Sequence, residues 1–130
     1  MGYLNNFEVR VYPARPAPSN VVRYFSATSS LQDVRAQVNA RLHWSALAES
    51  NDGTCLYAHG TKWYREGQDG WPEVFAAVSR VFRDTVIEVT RFGEDDGDIE
   101  RQFFHNGAIG GGKAEIVFPP NPFSEVTDGQ

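Results

Sequence analysis

Polar and apolar residues alternate from Phe7 to Tyr12, which puts Phe7, Val9 and Val11 on one side of the chain. A period of two marks a half-buried strand. Pro13, Pro16 and Pro18 then withhold the backbone donors that a ladder or a helix interior requires, so the strand ends there. A short apolar run at 21–25 fits either helix or strand. Beyond it the period lengthens: Leu31, Val34, Val38 and Leu42 recur at helical spacing, and Ser30 with Asp33 reads as a capping box. The pattern predicts a helix over 31–43. Asn51-Asp52-Gly53 is a turn, 54–59 is strand-like, and 66–70 breaks the chain again. A second helix is predicted from Pro72 and Glu73 in its first turn and from the stripe Trp71, Val74, Phe75, Val78 and Phe82. Strands are predicted over 85–92, 98–105 and 113–118. Gly93-Glu94-Asp95-Asp96-Gly97 separates the first two as a hairpin turn, and Asn106-Gly107 opens the next turn. Pro119, Pro120 and Pro122 stop the last strand, and the tail from about 119 is expected to be loose.

The element order is strand, helix, strand, helix, then a three-strand meander. It predicts one α+β domain over 1–130, an antiparallel or mixed sheet of about four to five strands with two helices on one face. A length of 130 residues and an aromatic content of 13% suffice for a real core.

Charge narrows the partners. The net −5 is uneven, +3 over residues 1–48 and −8 over the remainder. A net-acidic domain lacks the basic face that phosphates demand, which argues against nucleic acid as the partner. Cys55 is the only cysteine, so no internal disulfide forms and a reducing compartment is expected. The first residues have no basic region followed by an apolar run, and no apolar stretch approaches the length of a membrane span. The expected location is the cytoplasm.

Several motifs invite chemistry. Gly107-Ala108-Ile109-Gly110-Gly111-Gly112-Lys113 matches the first seven positions of a phosphate-binding loop, but Ala114 stands where Ser or Thr must hold the metal, and no helix follows. It reads as a glycine turn. Glu94, Asp95, Asp96, Asp98 and Glu100 crowd carboxylates into a short run that does not follow the calcium-loop pattern. The expectation is a water-facing hairpin tip, suited to electrostatic docking. Carboxylates sunk in a pocket would speak instead for acid–base work. Cys55 and His59 are four apart on a predicted strand, about 13 Å from one another and out of reach for a thiolate–imidazole pair. Cys55 reads as a buried structural residue. Lys62, Trp63 and Tyr64 combine charge and aromatic surface, as either a core edge or a partner anchor. Trp44 and Trp71 read as core.

Thr61-Lys62-Trp63-Tyr64, the helix at 71–82, Gly93-Glu94-Asp95-Asp96-Gly97-Asp98-Ile99 and Phe103-Phe104-His105-Asn106-Gly107 together resemble a group of small bacteriophage and mobile-element proteins. These are related to a ferredoxin-like domain family of unknown function. The opening Tyr3-Leu4-Asn5-Asn6-Phe7-Glu8-Val9 is similar too, whereas Arg83-Asp84 departs from the proline that the group favours. The resemblance implies a ferredoxin-like fold and carries over no catalytic residue, metal or cofactor.

The leading expectation is therefore a non-enzymatic, phage-type accessory protein that binds a protein partner in the host cytoplasm, in its sharpest form an inhibitor of a host defence complex. The expected contact residues are Glu94, Asp95, Asp96, Asp98 and Glu100 with Lys62, Trp63 and Tyr64. A virion or assembly component, with self-association, is the first alternative. A metal-dependent hydrolase using the carboxylates with His59 or His105 is the second.

Overall fold

The computed structural model describes residues 3–14, 27–42, 46–63, 65, 67 and 70–123, leaving aside the side chains of 27–30. The run at 21–25, His43, Trp44 and Tyr64 lie outside the described residues. Strand β1 (Asn5–Pro13) carries Phe7, Val9 and Val11 inward, as its alternation predicts. Helix α1 (Ala27–Arg41) begins four residues earlier than expected, so Ser30 lies inside the helix and does not cap it. Its inward row is Leu31, Val34 and Val38, with Leu42 just beyond the last turn. Strand β2 (Ala48–Glu49) is a two-residue edge with no counterpart in the predicted elements. Asn39 of α1 clasps the Leu47 backbone beside it, accepting its N–H at 2.8 Å, while Arg35 donates to its carbonyl at 2.9 Å.

Strand β3 (Leu56–Thr61), helix α2 (Trp71–Val81), β4 (Thr85–Phe92) and β5 (Ile99–His105) fall close to their predicted positions. The last strand does not. Strand β6 is Ala108–Lys113, the glycine segment itself, and the predicted strand over 113–118 is not formed. Turn geometry explains the difference. Asn106 (φ 46°) and Gly107 (φ 86°) are both left-handed, as a two-residue hairpin of the I′ kind requires, and His105 pairs directly with Ala108. The ladder therefore restarts at once, before the apolar residues 116–118 are reached.

The six strands form one antiparallel sheet in the order β2-β3-β1-β4-β5-β6. Strand β1 is flanked by β3 and β4, and both helices cover one face. There, Phe7, Val9, Ile87, Val89 and Phe104 of the sheet meet Val34, Val38, Val74, Phe75 and Val78 of the helices in a single core. Trp71 joins that core, as predicted, and so does Trp63. Among the described residues no element covers the opposite face, which half-exposes Tyr12, Tyr57, Phe92 and Phe103. No described helix is long and apolar enough to cross a membrane.

Candidate functional site

The hairpin register decides where the charges go. Arg91 lies opposite Glu100 across β4 and β5, and Phe7 of β1 lies opposite Arg91. Arg91 is in phase with Ile87 and Val89, and Glu100 with Phe104, so this pair of opposite charges points into the helix-covered side. Burial there is steep, with 1% of Glu100 and 7% of Arg91 exposed. The water-facing expectation thus fails for Glu100, and for Asp98 as well, which is half-buried. Both are drawn in because the strand phase leaves Glu100 no outward option and Arg91 reaches Asp98 beside it. Glu94, Asp95 and Asp96 are exposed, as expected.

Arg91 is nearly saturated. Its Nε donates to Glu100 Oε1 at 2.6 Å, Nη2 to Asp98 Oδ1 at 2.6 Å, and Nη1 to Asn5 Oδ1 at 2.8 Å. Arg65 closes the other side of Glu100 with two bonds, Nη2 to Oε2 at 2.8 Å being one, and Gln102 adds a third donor at 3.2 Å. The Arg65 guanidinium also lies over Trp71, 5.6 Å from the ring centroid. Asp98 further receives the Tyr3 hydroxyl at 2.7 Å and Lys113 Nζ at 3.3 Å. Among the described residues no buried side-chain nitrogen or oxygen lacks a partner.

These groups line a cavity of about 270 Å³ walled by Trp63 and Trp71. It is an ion-pair cluster set against two buried indoles. Burial opposes the charge of Glu100, but the hydrogen bonds from Arg65, Arg91 and Gln102 outweigh it and pull the carboxyl down to about 2. Asp98 is held well below the ordinary carboxylate range, mainly by Arg91 and then by Tyr3. The same bonds hold the Arg91 guanidinium charged, Asp98 contributing most.

The cluster also anchors the hairpin tip. Tyr3 Oη accepts the N–H of Asp95 at 2.9 Å while donating to Asp98, and the Glu94 carboxylate accepts the Leu4 N–H. Gly93 leaves room for this crossing. A Cβ there would stand 2.1 Å from Asp98 Oδ2 and 2.4 Å from Tyr3 Oη, inside any tolerable contact.

The remaining predicted residues scatter. Trp63 is buried against Phe7, ring centroids 4.7 Å apart, and offers no surface to a partner, whereas Lys62 is exposed. Cys55 is buried. His59 stacks on Tyr57 at 4.9 Å on the uncovered face, and His105 Nδ1 donates to the Thr85 carbonyl at 2.9 Å from that same face. The sheet therefore stands between both imidazoles and the Glu100 cluster. Among the described residues, no three His, Cys, Asp or Glu side chains gather as a metal-ligating group. Arg91, Arg65, Tyr3 and Asn5 were absent from the predicted set. For Arg91 a signal existed, its phase with Ile87 and Val89.

Acid should loosen this cluster. The folded value for Glu100, about 2, lies below its ordinary 4.5. The stability it contributes is therefore complete above that ordinary value and is lost as pH falls from there toward 2; the lowered Asp98 acts in the same sense. Urea unfolding at a series of pH values should show a decline over that window, and Glu100→Gln should flatten it. Equal acid slopes for the two proteins would refute the assignment.

No protein-family model, no curated protein and no solved structure matches the chain.

Proposed function

We propose that this chain is a non-enzymatic protein-binding domain whose contact surface is the β4–β5 hairpin tip. One observation carries the reading. The carboxylates that reach the cavity are neutralised by arginines of the same chain, whereas Glu94, Asp95 and Asp96 stay exposed on a tip fixed from beneath by Tyr3. A carboxylate paired this tightly is a poor base and is not protonated at neutral pH, so the cavity offers no free reagent. A rigid acidic tip suits a basic protein surface, where complementary charge steers encounter and sets register. The order β2-β3-β1-β4 with a helix after β1 and another after β3 supports a ferredoxin-like core to which β5 and β6 are added. The phage-type accessory role implied by the resemblance belongs to the same proposal.

Crosslinking in host lysate should recover a stoichiometric partner with the natural chain and lose it with Asp95→Lys/Asp96→Lys. Glu94 is left in place because it holds the Leu4 backbone. Capture that survives the double reversal would dispose of the acidic-tip reading. A structural or assembly role is the second reading, favoured by the arm after β6. There Ile116, Val117, Phe118 and Phe123 are 69%, 82%, 81% and 92% exposed, more than a solitary chain has reason to show water.

A further inference from the structure

The two edges of the sheet are treated differently. Strand β2 is two residues long and tethered to α1, a short edge of the kind that resists further pairing. Strand β6 is six residues, exposed throughout, with three glycines, no proline and a charge only at its end. Alternation along an antiparallel ladder assigns its backbone groups. Ala114 N–H bonds the Ile99 carbonyl at 2.8 Å, so residues 114, 112, 110 and 108 face β5. Ile109, Gly111 and Lys113 consequently turn their N–H and C=O groups outward.

We infer that β6 is a self-association edge, pairing antiparallel with β6 of a second copy about a two-fold axis at Gly111. With Gly111 opposite its own symmetry mate, Ile109 pairs with the second copy's Lys113 and the three outward residues of each chain bond in full. Helices of both copies then lie on the same side, because antiparallel neighbours across such an axis keep their faces. Glycine leaves the axis free of side chains.

Charge singles out a second copy as the occupant. One step past the ladder, Glu115 falls opposite the second copy's Gly107. The Arg80 guanidinium lies over Gly107, its Nε 2.4 Å from where a Cβ would stand. Glu115 and Arg80 are both exposed, and among the described residues neither has an oppositely charged partner within 4.0 Å. Glu115 continues the phase of Ile109 and Lys113, which pair with the inward Phe104 and Glu100, so it falls on the helix-covered side, where α2 carries Arg80. The two-fold brings each Glu115 to the other chain's Arg80, twice over. The pairing uses Ile109, Gly111, Lys113 and Glu115 and none of the exposed tip carboxylates Glu94, Asp95 and Asp96, although Ala114 sits beside Ile99 at that end of the hairpin.

Sedimentation equilibrium of the full chain tests it. The natural protein should show a reversible monomer–dimer equilibrium. Ile109→Pro deletes an outward N–H without touching the ladder to β5 and should leave only monomer, with an unchanged far-ultraviolet spectrum. Glu115→Arg should raise the dimer dissociation constant roughly 10-fold, and Glu115→Arg/Arg80→Glu should return it to within about threefold of the natural value. The exchanged pair decides the matter even if the proline variant does not fold. A natural chain that stays monomeric at every concentration, or a double exchange that fails to restore association, would overturn the inference.

Discussion

Arg91→Leu is expected to cost the fold about 3 kcal/mol or more, because it strands a buried carboxylate. Glu100 is 1% exposed and would keep only one cationic partner, Arg65, whose side chain is half in water, beside the neutral amide of Gln102. Asn5 would lose the donor to its Oδ1, and Asp98 would be left with Tyr3 and Lys113 alone. The attraction within the natural cluster is not itself the source of so large a loss. Bringing Arg91 and Glu100 out of water is costly, and their mutual attraction largely offsets that. The loss comes from removing one partner and leaving the other. Arg91→Leu/Glu100→Leu should therefore recover more than half of it. Urea midpoints for the natural chain, both single variants and the double variant make a complete cycle. Additive losses would mean that the two groups act independently, contrary to the 2.6 Å bond between them.

Most of this architecture was legible because one face of each central strand is buried. Phe7, Val9 and Val11, and Ile87 and Val89, announce their strands by period alone, and α2 does so by its complete stripe. Where hydropathy is silent, the reading failed. Residues 27–30 are Ala-Thr-Ser-Ser, without an apolar phase, so the first turn of α1 was invisible before Leu31. Strand β2 is too short for any period and is held by Asn39 and Arg35, a tertiary cause. The glycines of β6 carry no hydropathy signal, and Ile116, Val117 and Phe118 drew the expected strand too far along the chain. Asn106-Gly107 contained the answer, since a two-residue turn obliges the partner strand to begin immediately. The candidate site divides similarly. Arg91 and Glu100 occupy core phases and could have been paired from the hairpin register. Tyr3 and Arg65 arrive from 95 and 35 residues away, and no local pattern encodes that.

Trp71→Ala should be the most damaging single change in the apolar core, at about 3–5 kcal/mol. Trp71 is 1% exposed at the start of α2 and meets Phe7, Phe75 and Phe104 at centroid distances of 5.2, 6.4 and 6.4 Å. Small domains have roughly 5–15 kcal/mol of stability in all, so the variant would sit near the edge of folding. A second consequence separates this position from an ordinary core site. The indole is also the ring under the Arg65 guanidinium and a wall of the cavity holding Glu100. Its loss admits water to the ion pairs, screens them, and lets the Glu100 carboxyl rise toward its ordinary value. Trp71→Ala should therefore lose stability at neutral pH while its dependence on acid becomes shallower, and Trp71→Phe should do both to a smaller degree. Phe75→Leu, set deeper in the same core and absent from the cavity wall, should lower stability and leave the acid slope as it was. Thermal unfolding of the three variants between neutral pH and about pH 2 measures both quantities together. Identical acid slopes in Trp71→Ala and Phe75→Leu would show that the indole packs the core without shielding the charges beside it.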